Sequence, residues 1–180
     1  MTRWLPNAFT LARLLFVPLI ISAILGRRHT EALVLFALAA VTDILDGTTA
    51  RRFEVTSQFG AYLDPIADKV LLSGVFVALA GGGYVPWWLV GIILGRDLYL
   101  LVAAGLLFSF TRQRKFPPSR WGKASTFVQV LTAVLWMAQN MLDRPPLGFL
   151  SFAMLWPCAA FTVWSGVHYT WRGLQLVRMH

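Results

Sequence analysis

The chain has 180 residues, of which 57% are apolar and 13% charged, and its formal net charge is +8. A soluble domain carries about 25% charged residues, so this composition excludes an ordinary water-soluble domain, and the aromatic content of 14% excludes a disordered chain. The basic residues lie between apolar stretches, which favours an anionic membrane leaflet or a phosphorylated substrate as partner over nucleic acid.

Six apolar stretches are each about long enough to cross a bilayer. They predict transmembrane helices at 6–25, 31–51, 58–80, 85–110, 121–142 and 147–171. Helices are expected because the backbone of a spanning segment has to satisfy its own hydrogen bonds in lipid. Short polar or Gly/Pro connectors separate the stretches, so we predict an all-α integral membrane protein with a single domain over residues 1–180.

The basic residues predict the orientation of these helices. With the N-terminus in the cytoplasm, three basic residues fall on the outer side, at Arg27, Arg28 and Arg144, and eleven on the cytoplasmic side. The eleven are Arg3, Arg13, Arg51, Arg52, Arg112, Arg114, Lys115, Arg120, Lys123, Arg172 and Arg178. This distribution follows the positive-inside rule, whereas Lys69 and Arg96 fall within predicted spans.

Four of the eight acidic residues lie at the end of the second span and the start of the third. Asp43 and Asp46 are three residues apart, and Asp64 and Asp68 are four apart, so each pair shares a helix face. Both faces lie at the cytoplasmic ends of consecutive antiparallel helices. We therefore expect the four carboxylates to converge. Charged residues at membrane depth are costly and usually have a function, so these aspartates are candidate functional residues.

Converging carboxylates repel one another unless cations lie between them. An all-oxygen ligand set suits hard cations such as Mg²⁺, Mn²⁺ or Ca²⁺, and two metal ions can stabilise the attacking and leaving oxygens of a phosphoryl transfer. Small residues on the same faces, at Gly47, Ala50 and Gly60, would let a ligand approach the backbone, and Arg51 could bind a phosphate. The alternative is that the aspartates cap helices or pair with neighbouring basic residues.

The pattern also has a family resemblance. The segment Asp43-Ile-Leu-Asp46-Gly47-Thr-Thr-Ala50-Arg51, followed after eight residues by Gly60-x-x-x-Asp64-x-x-x-Asp68, resembles the signature of the CDP-alcohol phosphatidyltransferases at every fixed position. The six-span layout resembles the fold of that family over the whole chain.

The resemblance implies a homodimeric membrane enzyme of phospholipid synthesis, in the bacterial inner membrane, with its active site open to the cytoplasm. It implies that four aspartates bind two divalent metals, Mg²⁺ or Mn²⁺, on the substrate pyrophosphate: Asp43, Asp46, Asp64 and Asp68. Gly47, Ala50, Arg51 and Gly60 would hold the CDP moiety of CDP-diacylglycerol. Asp68 would act as the base that deprotonates the acceptor hydroxyl, and CMP would leave.

The acceptor is predicted from further resemblances. The opening Pro6-Asn7-x-x-Thr10-x-x-Arg13 and the segments Gly95-Arg96-Asp97 and Ser119–Thr126 resemble phosphatidylglycerolphosphate synthases and eukaryotic-type cardiolipin synthases. Either acceptor, glycerol 3-phosphate or phosphatidylglycerol, carries a phosphate, and we expect glycerol 3-phosphate.

Three basic residues are the candidate acceptor contacts: Arg96, Arg120 and Lys123. Arg96 could instead pair with Asp97 or a motif aspartate, and the other two could belong to the cytoplasmic basic cluster. Asn7, Thr10 and Arg13 are interpreted as an interfacial helix start and are left out of the core site. A cation- or proton-coupled transporter would also place carboxylates in the membrane, but internal repeats typical of that class are not evident.

Overall fold

The computed structural model describes residues 5–53, 58–110, 120–142 and 144–178, with side chains at 13–42, 67–103, 105, 120–142, 144–172 and 175. Every regular element in these ranges is an α-helix. The helices are α1 Leu5–Leu25, α2 His29–Phe53, α3 Gln58–Gly81, α4 Trp87–Phe110, α5 Arg120–Leu142 and α6 Pro145–Arg178. The all-α prediction is confirmed for this part of the chain, and each predicted span coincides with one helix. The only large difference is at the end of α6, which continues past the predicted end at 171 to Arg178.

The apolar character of the helices differs along the described chain. Within the described residues, one helical stretch, Pro145–Arg172, is both long and apolar enough to cross a membrane. The mean hydropathy of its most apolar 18 residues is 1.6. Arg13–Leu25 and His29–Thr42 are shorter apolar stretches. Large aromatic side chains of α6 lie on the surface, including Phe149 at 79% and Trp156 at 65% exposure, as expected for a helix that contacts lipid.

Two tight turns join α1 to α2 and α3 to α4. After α1, the Arg28 N–H donates to the Ala23 carbonyl at 2.8 Å, and Arg27 adopts a left-handed conformation with φ 57°. This is a common way for a helix to end. After α3, Gly83 takes the same role with φ 78°, a conformation that glycine adopts without steric cost.

The core joins the helices into one bundle. α1 packs against α2 and α3, α5 forms a hairpin with α6, and α4 packs on α3 and α6. Fully buried apolar side chains fill these contacts: Ile20, Ile24, Val75, Phe76, Leu79, Leu89, Ile93 and Met137. Burial of such side chains provides close packing, and in lipid packing is a main source of helix association.

Candidate functional site

A cavity of about 830 Å³ lies between α3, α4, α5 and α6. Its walls come from the middle of α3 and α4, the first half of α5 and the last third of α6. In an antiparallel bundle these four regions lie between the middle of the bundle and the end for which the basic residues predict a cytoplasmic position. The lining residues are Asp68, Lys69, Leu72, Ser73, Ile93, Arg96, Asp97, Tyr99, Leu100, Leu101, Ala103, Gly122, Lys123, Thr126, Phe127, Gln129, Val130, Tyr169 and Thr170.

Asp68, the predicted base, lies on this cavity and its side chain is 50% exposed. Arg13 reaches it from α1, and its Nη1 donates to Asp68 Oδ1 at 2.5 Å. The Arg13 side chain is only 1% exposed. The prediction that Arg13 belongs to an interfacial helix start is therefore wrong, because a buried guanidinium in a chain this apolar needs a carboxylate partner, and Asp68 provides it.

The other predicted metal ligands and the CDP contacts lie where the structure describes backbone only. Asp43, Asp46, Gly47, Ala50 and Arg51 fall within α2, and Gly60 and Asp64 within α3. The helical spacing that puts each set on one face is thus observed, but their side chains lie outside the described ones. Among the side chains that are described, no three acidic, histidine or cysteine residues group into a metal site. The convergence of the four carboxylates stays a prediction.

Arg96, a predicted acceptor contact, lies on the cavity wall in a network of charges. Its Nη1 donates to Asp97 Oδ1 at 2.7 Å. On its other edge, Nε and Nη2 donate to Ser165 Oγ of α6 at 3.1 and 2.5 Å. The pair with Asp97 is the alternative that the sequence analysis left open, and Arg96 makes it while still lining the cavity.

Lys69 is a residue of this network that the sequence analysis did not select. Its Nζ lies 2.5 Å from Asp97 Oδ1, the same oxygen that Arg96 contacts. Lys69 follows Asp68 directly in α3, so the base and a cation lie side by side on the cavity wall. Its position within an apolar span is the signal that could have indicated a role.

The two remaining acceptor candidates are on the first turn of α5. Lys123 lines the cavity, whereas Arg120, which is exposed at the first residue of the helix, is not among the lining residues. The structure thus brings Asp68, Arg96 and Lys123 to one cavity, and Arg120 is outside its lining.

Hydrogen bonds between polar side chains at the cavity wall fix α5 against α6. Gln129 is 2% exposed, and its Nε2 donates to Thr162 Oγ1 at 2.9 Å. At the rim, the hydroxyls of Tyr99 and Thr170 are 2.7 Å apart and join α4 to α6. Interhelical hydrogen bonds of this kind are the polar contacts that membrane helices use to fix their register, so the cavity has a braced wall.

Part of the cavity wall is apolar. Leu72, Leu100, Leu101, Phe127 and Val130 line it, and Leu101 and Phe127 are each 68% exposed on the outer surface. A cavity with a charged floor and an apolar side that continues to the lipid-facing surface suits an amphiphile, whose headgroup carries phosphate and whose tails remain in lipid.

Comparison with known proteins assigns the chain to a family. Residues 3–164 match the family model for CDP-alcohol phosphatidyltransferase. A probable phosphatidylglycerophosphate synthase of Mycobacterium tuberculosis is 35% identical over 177 residues, covering 95% of this chain and 82% of the relative. A cardiolipin synthase (CMP-forming) of Streptomyces coelicolor is 33% identical over 189 residues, covering 96% and 80%.

A third relative covers almost the whole length of both chains. The CDP-diacylglycerol–glycerol-3-phosphate 3-phosphatidyltransferase of Bacillus subtilis is 30% identical over 193 residues, which is 95% of this chain and 97% of the relative. Since the family model spans nearly the entire chain and these relatives align over most of it, the protein belongs to the CDP-alcohol phosphatidyltransferase family.

Proposed function

We propose that the protein transfers a phosphatidyl group from CDP-diacylglycerol to glycerol 3-phosphate and releases CMP. The observation that carries this proposal is the cavity that joins the predicted base, Asp68, with two predicted phosphate contacts, Arg96 and Lys123. Two of the three relatives described above are named for glycerophosphate chemistry, which supports this acceptor over others.

In the proposed reaction, Asp68 accepts the proton of the acceptor hydroxyl. The hydroxyl oxygen then forms a bond to the phosphorus that carries diacylglycerol, and the bond from that phosphorus to the CMP oxygen breaks. Arg13 holds one carboxylate oxygen of Asp68, so the base is oriented before the acceptor arrives. Arg96 and Lys123 would bind the acceptor phosphate and position the hydroxyl, a contribution that lowers the entropic part of the barrier.

Two divalent cations, Mg²⁺ or Mn²⁺, suit the carboxylate ligands that we propose for the part of the site that binds CDP-diacylglycerol. Asp43, Asp46, Asp64 and Asp68 would hold them, and the half-exposed carboxylate of Asp68 at the cavity is compatible with this role. When bound, such ions neutralise charge on the pyrophosphate and on the leaving group. Gly47, Ala50, Arg51 and Gly60 would accommodate the cytidine diphosphate.

The setting of the enzyme is part of the proposal. All six helices would cross the bacterial inner membrane, with the cavity open to the cytoplasm. Glycerol 3-phosphate is dissolved there, and the cytidine diphosphate headgroup of CDP-diacylglycerol would face the same side. The basic residues support this orientation, and the bias persists without the buried Arg13. The protein would act as a homodimer, as the family resemblance implies.

Cardiolipin synthesis is the second candidate, with phosphatidylglycerol as acceptor. The specific observation in its favour is the apolar side of the cavity at Leu101 and Phe127, which could accommodate a lipid acceptor. The relative from Streptomyces coelicolor carries that name.

One experiment tests both candidates and the metals. Purified protein in detergent receives CDP-diacylglycerol with glycerol 3-phosphate, phosphatidylglycerol or no acceptor, and CMP and the lipid product are measured with and without EDTA. We expect metal-dependent CMP release with glycerol 3-phosphate. Asp43→Asn, Asp46→Asn and Asp64→Asn should each abolish it, whereas Glu31→Gln, an exposed carboxylate far from the cavity, should not.

Each outcome has a distinct meaning. Product formation with phosphatidylglycerol alone would make the protein a cardiolipin synthase. Activity that EDTA leaves unchanged, or full turnover by the three asparagine variants, would refute the two-metal site. Absence of CMP with every acceptor would refute the enzyme itself.

A further inference from the structure

Asp97 occupies an unusual position, because two cations from different helices contact the same oxygen of its carboxylate. Lys69 Nζ of α3 and Arg96 Nη1 of α4 lie 2.5 and 2.7 Å from Asp97 Oδ1. All three side chains line the cavity. We propose that the Asp97 carboxylate occupies the place of the acceptor phosphate. When a phosphorylated acceptor enters, Lys69 and Arg96 would release Asp97 and bind the phosphate instead. This inference rests on the proposed function and adds Lys69 and Asp97 to its acceptor site.

The two cations are suited to an exchange of partners. Lys69 is 47% exposed, and its ammonium lies on a flexible four-carbon stem, so it can turn towards a ligand without moving the helix. Arg96 is 9% exposed and is also held by Ser165, which is fully buried. Because Ser165 binds the edge of the guanidinium away from Asp97, Arg96 would keep its position when the carboxylate withdraws.

Charge gives the exchange its direction. A phosphate monoester carries about −1.5 to −2 charges and three strong acceptor oxygens at neutral pH, whereas Asp97 offers one charge. A monoester can therefore replace Asp97 at both cations, but an uncharged alcohol cannot, because it would leave Lys69 and Arg96 without a counter-charge. Competition of this kind produces specificity by penalising the wrong ligand. A phosphodiester such as phosphatidylglycerol, with one negative charge, would be the weaker competitor.

The decisive variant is Asp97→Asn, which removes the competing charge and keeps the size of the side chain. In steady-state kinetics with the full-length protein, we expect its KM for glycerol 3-phosphate to fall about tenfold, with an unchanged KM for CDP-diacylglycerol. Asp97→Glu, which retains the charge, should stay near the wild-type KM. Lys69→Gln should raise the acceptor KM by a similar factor, and because the Lys69 side chain is 47% exposed, we expect this variant to fold.

A binding measurement gives a second readout that needs no turnover. Inorganic phosphate should bind Asp97→Asn about tenfold more tightly than the wild type, measured as the concentration that half-maximally stabilises the protein against thermal unfolding in detergent. Glu31→Gln removes an equal charge outside the cavity and should leave this concentration unchanged. Kinetics with glycerol 3-phosphate and phosphatidylglycerol in turn identify the source of the phosphate, since the KM that falls in Asp97→Asn belongs to the acceptor that displaces Asp97.

Several results would overturn the exchange. An unchanged or raised acceptor KM in Asp97→Asn, or unchanged phosphate binding, would make Asp97 a structural counter-ion only, and so would a wild-type acceptor KM in Lys69→Gln. These failures are separable from failure of the proposed function. CMP release by the wild type would still support the transferase, whereas tighter phosphate binding without any CMP would refute the transferase and leave an anion site at Lys69 and Arg96.

Discussion

The ion pair between Arg13 and Asp68 allows a quantitative prediction, because the described residues also include an exposed arginine–carboxylate pair for comparison. Arg13 is 1% exposed and Asp68 is 50% exposed. Arg28 and Glu31 form an exposed pair at 2.9 Å, with 53% and 57% exposure. Exposed pairs contribute about 0–1 kcal/mol, and breaking a fully buried pair costs about 3–5 kcal/mol. Since one partner here is half exposed, we expect Arg13→Gln to lower the free energy of unfolding by about 1.5–3 kcal/mol.

The same substitution should slow the reaction, because Asp68 loses the contact that orients its carboxylate. We expect kcat to fall about tenfold or more, which corresponds to about 1.4 kcal/mol or more in the activation free energy. The KM for glycerol 3-phosphate should change little. Arg13→Lys should recover part of kcat, since it retains the charge but lacks the planar fork of the guanidinium.

The assay is a double-mutant cycle. Free energies of unfolding are measured by SDS titration in mixed micelles for the wild type, Arg13→Gln, Asp68→Asn and the double variant, and the cycle isolates the coupling between the two side chains. Arg28→Gln is the matched control and should lose less than about 1 kcal/mol. A coupling energy below about 0.5 kcal/mol, or equal losses in Arg13→Gln and Arg28→Gln, would refute the view that burial gives the first pair its strength.

Two further predictions concern the donor half of the site and the orientation of the chain. Gly47→Leu and Gly60→Leu should each raise the KM for CDP-diacylglycerol in steady-state kinetics, because a larger side chain would occupy the space proposed for the nucleotide; wild-type values in both would make these glycines packing residues. In intact cells, an impermeant thiol reagent should label a cysteine introduced at position 144 from outside, and one in the 111–118 segment only after permeabilisation. Cys158 is fully buried and should give little background labelling. The reverse labelling pattern would place the cavity on the outer side.

Helix positions were predictable because they depend on local features of the sequence, namely the length of an apolar run and the residues that bound it. Apolar runs bounded by Gly, Pro or charge predicted each of the first five helices to within two residues of its observed ends. The end of α6 was predicted less well, since Arg172 indicates where the lipid ends and not where the helix ends. Basic residues stabilise the C-terminal turns of a helix, so α6 can continue into the polar layer as far as Arg178.

The site was predictable where its residues lie on one helix face and not where they meet across the bundle. Asp68 and Asp64 are one turn apart, so spacing alone relates them. Arg13 lies 55 positions from Asp68, and only the packing of α1 on α3 brings them together. Lys69 and Asp97 are 28 positions apart, and their contact likewise follows from tertiary structure. A charge within an apolar span indicates that a partner exists but does not identify it.

The length of α6 determines where newly made lipid would appear. Pro145 and Thr170 are separated by 25 helical positions, or about 38 Å at 1.5 Å per residue, and about 35 Å along the membrane normal at a tilt of 20°. The hydrocarbon layer is about 30 Å thick. With Pro145 at one interface, the cavity rim at Tyr169 and Thr170 lies among the headgroups of the opposite leaflet. A donor lipid would react there without leaving its leaflet, so synthesis would enlarge one side of the bilayer, and the other side would depend on transbilayer movement to keep pace.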